Sequence, residues 1–437
     1  MTRARTINAQ PITALPVSDA LFANGEYDFT NSTIGTQALR KLGALQYFSR
    51  SGVARYYSYS DNLWKEAADG VIRFSDSPYN GTTGLLIEGE GGENHIKYSS
   101  EQNAAWLTGG GGGGINKTNV TSIIQGKSAV KLEATLTGSF YYQAAGTFTA
   151  DEMNVYMIVE TVPGDASPAV DIGVYNTTST AWVARARLTF ATGAVSLISG
   201  TTTLRKAIQY SKAGPNGGVV WLLMMSCTGT NGNQRRFTMY PDPLNGSGAV
   251  ILHHAQLQNN PHGCSPIVTA GATVTQNPDV LYCEVPPGLD FQNDAPFTFI
   301  VSQSVITPSR TPQGATYLSV PAIVAKSDLS SFVGCIVNYL GGSSIFYITN
   351  IAAESYLYYD TITTPTLGAV ETVGCSKDAY DNIVSASRSA EGLGGQHNAD
   401  VDSPILAIGY LGSGFLIHKL ILRPYGVSAD SLVNMCQ

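Results

Sequence analysis

Residues 84–106 read GLLIEGEGGENHIKYSSEQNAAW and join a short apolar run to an aromatic anchor, with almost no catalytic chemistry between them. Leu85, Leu86 and Ile87 stand between Gly84 and Gly89. Three apolar positions are too few for a helix and suit a strand covered on both faces. A loop of Gly and Glu follows, and then Ser99 or Ser100 is placed to cap a short turn that carries Ala104, Ala105 and Trp106 onto a core. The stretch therefore predicts a strand, a loop and a buried indole.

Outward from that segment, strand signals dominate. Short runs at 129–132, 138–142, 154–160, 170–175, 182–190, 219–225, 236–240 and 250–257 are divided by Gly, Asn, Asp and Pro. Runs of that length and punctuation describe an antiparallel sandwich, and about eight of them suit a jelly roll. The rhythm restarts at Phe297 and ends with the apolar run from Phe415 to Leu422, followed by a short helix for which Ser428 is the N-cap. The expectation is an all-β chain of two tandem antiparallel β-sandwich domains behind an N-terminal attachment region. The divisions fall at 1–47 (a leader holding one amphipathic helix through Ala38, Leu39, Leu42 and Leu45), 48–97 (a small β-rich module), 98–280 (a jelly roll) and 281–437 (a second sandwich).

Composition narrows the function. Charged residues are 13% of the 437, against about a quarter in ordinary globular proteins, so the polar surface rests on Ser, Thr, Asn, Gln and Gly. Such a surface suits protein packing or uncharged glycans. With 25 basic and 32 acidic residues the net charge is −7, and no basic stripe appears, which disfavours a sequence-independent nucleic-acid binder that needs a clustered basic face. No apolar stretch follows Arg3 and Arg5, so a secretory signal is not expected, and the run from Val219 to Met225 is far shorter than the ~20 residues of a membrane span. Cysteines 227, 264, 283, 335, 375 and 436 show no metal or redox spacing and are expected as reduced core thiols.

A longer pattern surrounds the opening segment. It runs through Phe48-Ser49-Arg50-Ser51, Ala54-Arg55-Tyr56, Val71-Ile72-Arg73-Phe74, Gly84-Leu85-Leu86-Ile87-Glu88, Tyr98-Ser99-Ser100 and Asn103-Ala104-Ala105-Trp106. Far downstream, Leu252 to Leu257 lead through Pro261, Ser265, Pro266, Ile267, Val268, Thr269, Val274, Thr275, Asp279 and Val280. In series these resemble a module of tailed-bacteriophage structural proteins, notably tail fibres, spikes and related virion appendages. Gln276-Asn277-Pro278 departs from it, standing where a basic residue and small residues are usual. The ending resembles concanavalin A-like, laminin-G-like sandwiches, and the 98–280 region a carbohydrate-binding module. The resemblance implies a virion protein assembled in the host cytoplasm, a homotrimer, docked to other virion proteins through its N-terminal region and facing host-surface polysaccharide.

The same sequence offers little catalytic or metal chemistry. Gly109 to Gly114 lack the GK[ST] of a phosphate loop and read as a flexible loop. His253 and His254, near His262, point to opposite faces of a strand and cannot easily share a metal ion. Asn398, Asp400 and Asp402 carry calcium-like oxygen chemistry but read as a solvated turn. Glu88 and Glu90 flank Gly89 on a loop edge rather than a sugar cleft, and Gly246-Ser247-Gly248 is not a nucleophile elbow. No enzyme, cofactor or metal site is expected. Glycan contact, if present, falls to tyrosines, whose rings cover a sugar face and whose hydroxyls meet its oxygens. The candidates are Tyr141 and Tyr142, and Tyr356, Tyr358 and Tyr359; Tyr56, Tyr57 and Tyr59 form a further cluster. A tail-fibre adhesin, a capsid or head-fibre decoration held by protein contacts, and a glycan-degrading depolymerase all remain open.

Overall fold

A computed structural model describes residues 25–42, 48–50, 52–88, 91–100, 104–110, 114–148, 152–165, 167–202, 204–259, 265–285, 295–307, 320–325, 331–338, 343–350, 355–361, 368–378, 382–386, 390–394, 405–411 and 414–437. The chain is all-β: among the described residues, antiparallel sheets are accompanied by two helices, Ser32–Lys41 and Ala429–Cys436. Neither helix is long and apolar enough to cross a membrane.

Among the described residues, two pairs of sheets each enclose a core and one pair is inserted into the other, with a two-stranded hairpin beside them. In the central pair, a sheet ordered 204–213, 219–228, 152–161, 249–258, 128–134, 115–121 faces a sheet ordered 194–200, 181–189, 169–176, 234–240, 140–147, 107–109. Their shared core holds Leu132, Val155, Met157, Ile172, Val174, Leu188, Leu223, Phe237, Met239 and Leu257. Trp106 is buried in it, stacked on Tyr141 with centroids 4.6 Å apart, while its indole N–H donates to the Tyr98 carbonyl at 2.6 Å. Ser99 and Ser100 anchor to Thr269 and to the core strand 249–258, while residues 101–103, where the turn they were expected to cap begins, lie outside the described residues. Ser99 Oγ accepts from the Thr269 amide at 2.9 Å, and Ser100 Oγ lies 2.7 Å from His254 Nδ1.

The outer pair takes strands from both sides of the insertion. Thr83–Glu88 pairs with Arg73–Asp76 on one side and with Gly414–Arg423 on the other, setting Leu85 opposite Ile417 and Ile87 opposite Phe415. Glu26–Asp28 extends the same edge of Gly414–Arg423, and Phe48–Ser49 pairs with Val280–Glu284 in the facing sheet. The apolar run is thus covered on both faces: Leu85 and Ile87 enter the main core with Phe299, Leu406 and Phe415, while Leu86 meets Ile306 and Leu416 behind it.

These pairings change the expected division of the chain. The 48–97 segment is divided among the sheets, with Phe48–Ser49 joining the outer pair and Gly92–Asn94 pairing with Ala249–Gln258 and Val274–Gln276 in the central one. The hairpin Ala54–Ser58/Leu63–Ala67 lays Tyr57 and Trp64 on the back of the central sheet, against Tyr156, Tyr210, Leu222 and Met224. Arg73–Glu88 belongs to the outer pair. The second half of the leader is also built in, since Asn31 caps the Ser32–Lys41 helix and Ala38, Leu39 and Leu42 pack into the outer core. Leu45 and residues 1–24 lie outside the described residues.

Where the two bodies meet, four charges are buried together. Arg73 lies 2.7 Å from Glu88 Oε2 and 2.5 Å from Asp279 Oδ2, and Arg50 Nε lies 3.3 Å from Asp279 Oδ1. Glu88 also accepts from the Ser265 amide and hydroxyl and from the Gln276 amide group. Gln276 thus supplies a neutral donor to this carboxylate. Burial alone would lower the Arg73 pKa, but Asp279 and Glu88 outweigh it and hold the guanidinium charged. Two cations and two anions cancel, so the quartet tolerates a dry site only while complete.

Arg73→Leu leaves two buried carboxylates facing one arginine and is expected to destabilise the chain by about 3–5 kcal/mol. Denaturant unfolding followed by tryptophan fluorescence checks this; an unchanged midpoint would contradict it.

Candidate functional site

The two central sheets differ in what covers their outer faces. Behind one lies the hairpin, so Glu152–Thr161 and Ala249–Gln258 are buried along almost their whole length. The other alternates, with Ala181–Thr189 and Phe140–Thr147 burying every second residue and presenting the rest outward. An open antiparallel face should be polar. This one carries the half-buried rings of Phe140, Tyr142, Tyr175 and Trp182 around a buried Tyr240, together with half-buried Arg185, Arg187 and Arg236.

Register gathers these side chains. Tyr142 lies opposite Thr238, which lies opposite Gly173; Arg236 lies opposite Tyr175; Tyr240 lies opposite Asp171. On the next strand Trp182 pairs with Tyr175, and Arg187 with Asp171. The rings follow one another around Thr238, from Tyr175 to Trp182 (5.1 Å between centroids), Tyr240 (6.2 Å), Phe140 (5.4 Å) and Tyr142 (5.5 Å). Arg236 closes the circuit, its guanidinium 4.5 Å from the Tyr142 centroid, 4.6 Å from Tyr175 and 5.2 Å from Phe140.

Two glycines let the large rings lie down. A Cβ on Gly173 would stand 2.6 Å from the Trp182 ring, and one on Gly109 would stand 2.5 Å from the Phe140 ring. The start of the glycine run thus makes room for an aromatic side chain; residues 111–113 lie outside the described residues.

Asp171 organises the cations. Its carboxylate is fully buried and accepts from Arg185 Nε at 2.7 Å and from Arg187 Nε at 2.7 Å and Nη2 at 3.1 Å. Held this way, Arg185 lies 3.6 Å from the centre of the Tyr240 ring. The hydrogen bonds to Asp171 raise the Arg187 pKa against a smaller effect of burial, so that charge is secure. The face combines flat apolar surfaces with fixed in-plane N–H donors, which can stack on a ring and hydrogen-bond its substituents.

The tyrosines singled out from sequence separate. Tyr142 joins the ring. Tyr141 points the other way, fully buried against Trp106, so it belongs to the core and offers no surface to a ligand. The backbone of Ser355–Thr361 places Tyr358 opposite Tyr347, while the side chains of Tyr356, Tyr358 and Tyr359 lie outside the described residues. Tyr57 is core. Sequence reading missed Phe140, Asp171, Tyr175, Trp182, Arg185, Arg187, Arg236 and Tyr240. The usable signal was the alternation in Ala184-Arg185-Ala186-Arg187-Leu188, which marks one open face.

Among the described residues, His253, His254 and Glu88 have partners other than a metal or a substrate. His253 Nδ1 accepts the Ile123 amide at 3.2 Å, so its proton sits on Nε2, 2.9 Å from Glu160. Burial opposes ionisation of Glu160, but donors from His253, Asn216 and Gly218 hold its pKa below the usual value. His254 turns to Ser100 and Gln256 instead. Glu88 is locked in the charged quartet. His262, Glu90, Asn398, Asp400 and Asp402 lie outside the described residues. Among the described residues no three His, Cys, Asp or Glu side chains gather as they would around a metal ion. Cys227, Cys283 and Cys375 are buried thiols, and burial pushes the Cys227 pKa up to about 12. Cys264 and the Cys335 side chain lie outside the described residues. No protein-family model matches the chain, and no curated protein matches it.

Two outcomes follow from these placements. The Tyr141 hydroxyl has no hydrogen-bond partner among the described residues, so Tyr141→Phe should leave stability unchanged or raise it by about 1 kcal/mol; a loss of that size would show a hidden partner. Burial lowers the His254 pKa to about 3. The unfolded chain therefore takes up a proton that the folded chain refuses. Stability is full above about pH 6.5 and falls as the pH drops toward 3, by about 2 kcal/mol at pH 5 from this residue. NMR of the imidazole should show no titration near 6.5; a normal titration would contradict the assignment.

Proposed function

We propose that this chain is a non-catalytic virion appendage protein that attaches to host-surface glycan through the open face of its central sheet. The ring of five aromatic side chains closed by Arg236 carries the reading. Sugars present flat C–H faces edged with hydroxyls, and the ring offers stacking surfaces edged with guanidinium donors. The series of segments resembling phage appendage modules supports the virion setting. Residues from those segments, Arg50, Arg73, Glu88, Ser265 and Asp279, form the quartet and its immediate partners. A trimer of such chains would multiply a weak single site, since multivalency raises avidity by roughly 10² to 10⁴.

A second reading is an appendage held purely by protein contacts. It is favoured by the edge strand Ala194–Gly200, which carries no charge and exposes Leu197 and Ile198. Uncharged open edges invite strand addition from another chain.

Binding of the intact protein to host cells and to a glycan array separates the two. Trp182→Ala with Tyr142→Ala is expected to weaken glycan retention about tenfold or more, roughly 1.4 kcal/mol, with the unfolding midpoint held. Variants that bind like the parent would overturn the site, and variants that change the particle mass instead would favour the protein-contact reading.

A further inference from the structure

The three arginines on the open face are not equivalent. Arg185 and Arg187 are committed to Asp171, both of whose oxygens they occupy. Arg236 is not committed. Its Nε donates to Thr238 Oγ1 at 3.3 Å, and it forms no ion pair with any described residue. Its Cζ lies over the rings of Phe140, Tyr142 and Tyr175. Such contacts use the charge and not a conventional acceptor, so beyond the Nε bond to Thr238 its Nη donors meet no acceptor among the described residues, and that planar fork matches a carboxylate with two parallel hydrogen bonds. The fork is partly exposed, between two tyrosine rings, on a protein whose net charge is −7. Three cations stand here against the single carboxylate of Asp171, so the ring is a local positive site on an anionic chain.

Resting on the glycan reading, we infer that the face selects acidic sugars, with Arg236 taking the carboxylate of a hexuronate or sialic acid residue while its ring stacks on Tyr142 or Tyr175. The shape and number of donors favour this class. Nucleic-acid binding rests on many phosphate contacts from a basic array, whereas one open fork set among apolar rings fits the planar carboxylate of a single sugar residue whose ring offers a flat C–H face. The preformed cage around Arg236 also removes most of the ordering cost that a free surface arginine would meet on binding.

The test uses the full chain and two defined polymers, alginate and polysialic acid, each beside a form with its carboxylates reduced to alcohols. Wild-type protein is expected to bind at least one acidic polymer and to lose about tenfold or more on carboxyl reduction, with affinity falling as salt rises. Arg236→Gln should lose the acidic preference, and Arg236→Lys, which keeps the charge but not the fork, should fall between. Should Arg236→Gln fail to fold, the reduced polymers and Arg236→Lys carry the comparison. Equal binding of acidic and reduced polymers, unaffected by Arg236→Gln, overturns the inference while leaving the glycan reading intact. Failure to bind these or any array glycan overturns both. Binding a polyglutamate peptide as tightly as the sugars overturns the inference in favour of an acidic protein partner.

Discussion

The buried quartet of Arg50, Arg73, Glu88 and Asp279 is the interaction on which the rest of this fold depends. It joins segments more than two hundred positions apart in sequence at the point where the chain leaves one pair of sheets and re-enters it. Glu88 ends the strand that zips onto Gly414–Arg423, and Asp279 begins the return to the facing sheet. The backbone closes the same junction, with the Asp279 amide donating to the Glu88 carbonyl at 2.8 Å and the Glu88 amide to Asp279 Oδ2 at 2.9 Å. Buried ion pairs gain little stability over an apolar replacement, yet losing one member leaves an uncompensated charge in a dry place. The quartet is accordingly a device of registry, fixing where the insertion starts and stops.

That junction decides which surfaces are left for function. The hairpin before Arg73 is directed onto the back of the central sheet, where Trp64 donates to the Tyr210 hydroxyl at 3.2 Å. With that face covered, the opposite sheet keeps the open one. Its strands retain the alternation of an exposed sheet, and its outward positions hold aromatic rings and arginines in place of the hydroxyl and amide side chains that make up most of this weakly charged surface. Asp171 spends no freedom on a ligand; it holds two guanidinium groups in place before any ligand arrives.

Much of this was legible in the sequence where the physics is local. Leu85 to Ile87, bounded by glycines, suited a strand covered on both faces better than a helix; Val219 to Met225 marked a central strand; Ser428 accepts the Ser431 amide as the cap of the last helix. Trp106 was readable as an anchor. The insertion was not, because no local signal says that Thr83–Glu88 pairs with a strand more than three hundred residues later. The division of the 48–97 segment between two bodies escaped for the same reason. The binding face was half legible: Tyr141 and Tyr142 marked the right strand, but period-two geometry sends one ring inward, and which one depends on the facing sheet. Tyr175, Trp182 and Arg236 are scattered in sequence and meet only through cross-strand register.

Hydroxyl-radical footprinting of the intact chain, with and without the polysaccharide it retains most tightly on an array, tests the central claim most directly. The account predicts that oxidation of Tyr142, Tyr175 and Trp182 falls in the complex while exposed Tyr425, at the far end of the chain, is unchanged. Protection elsewhere with these three rings still reactive would contradict it.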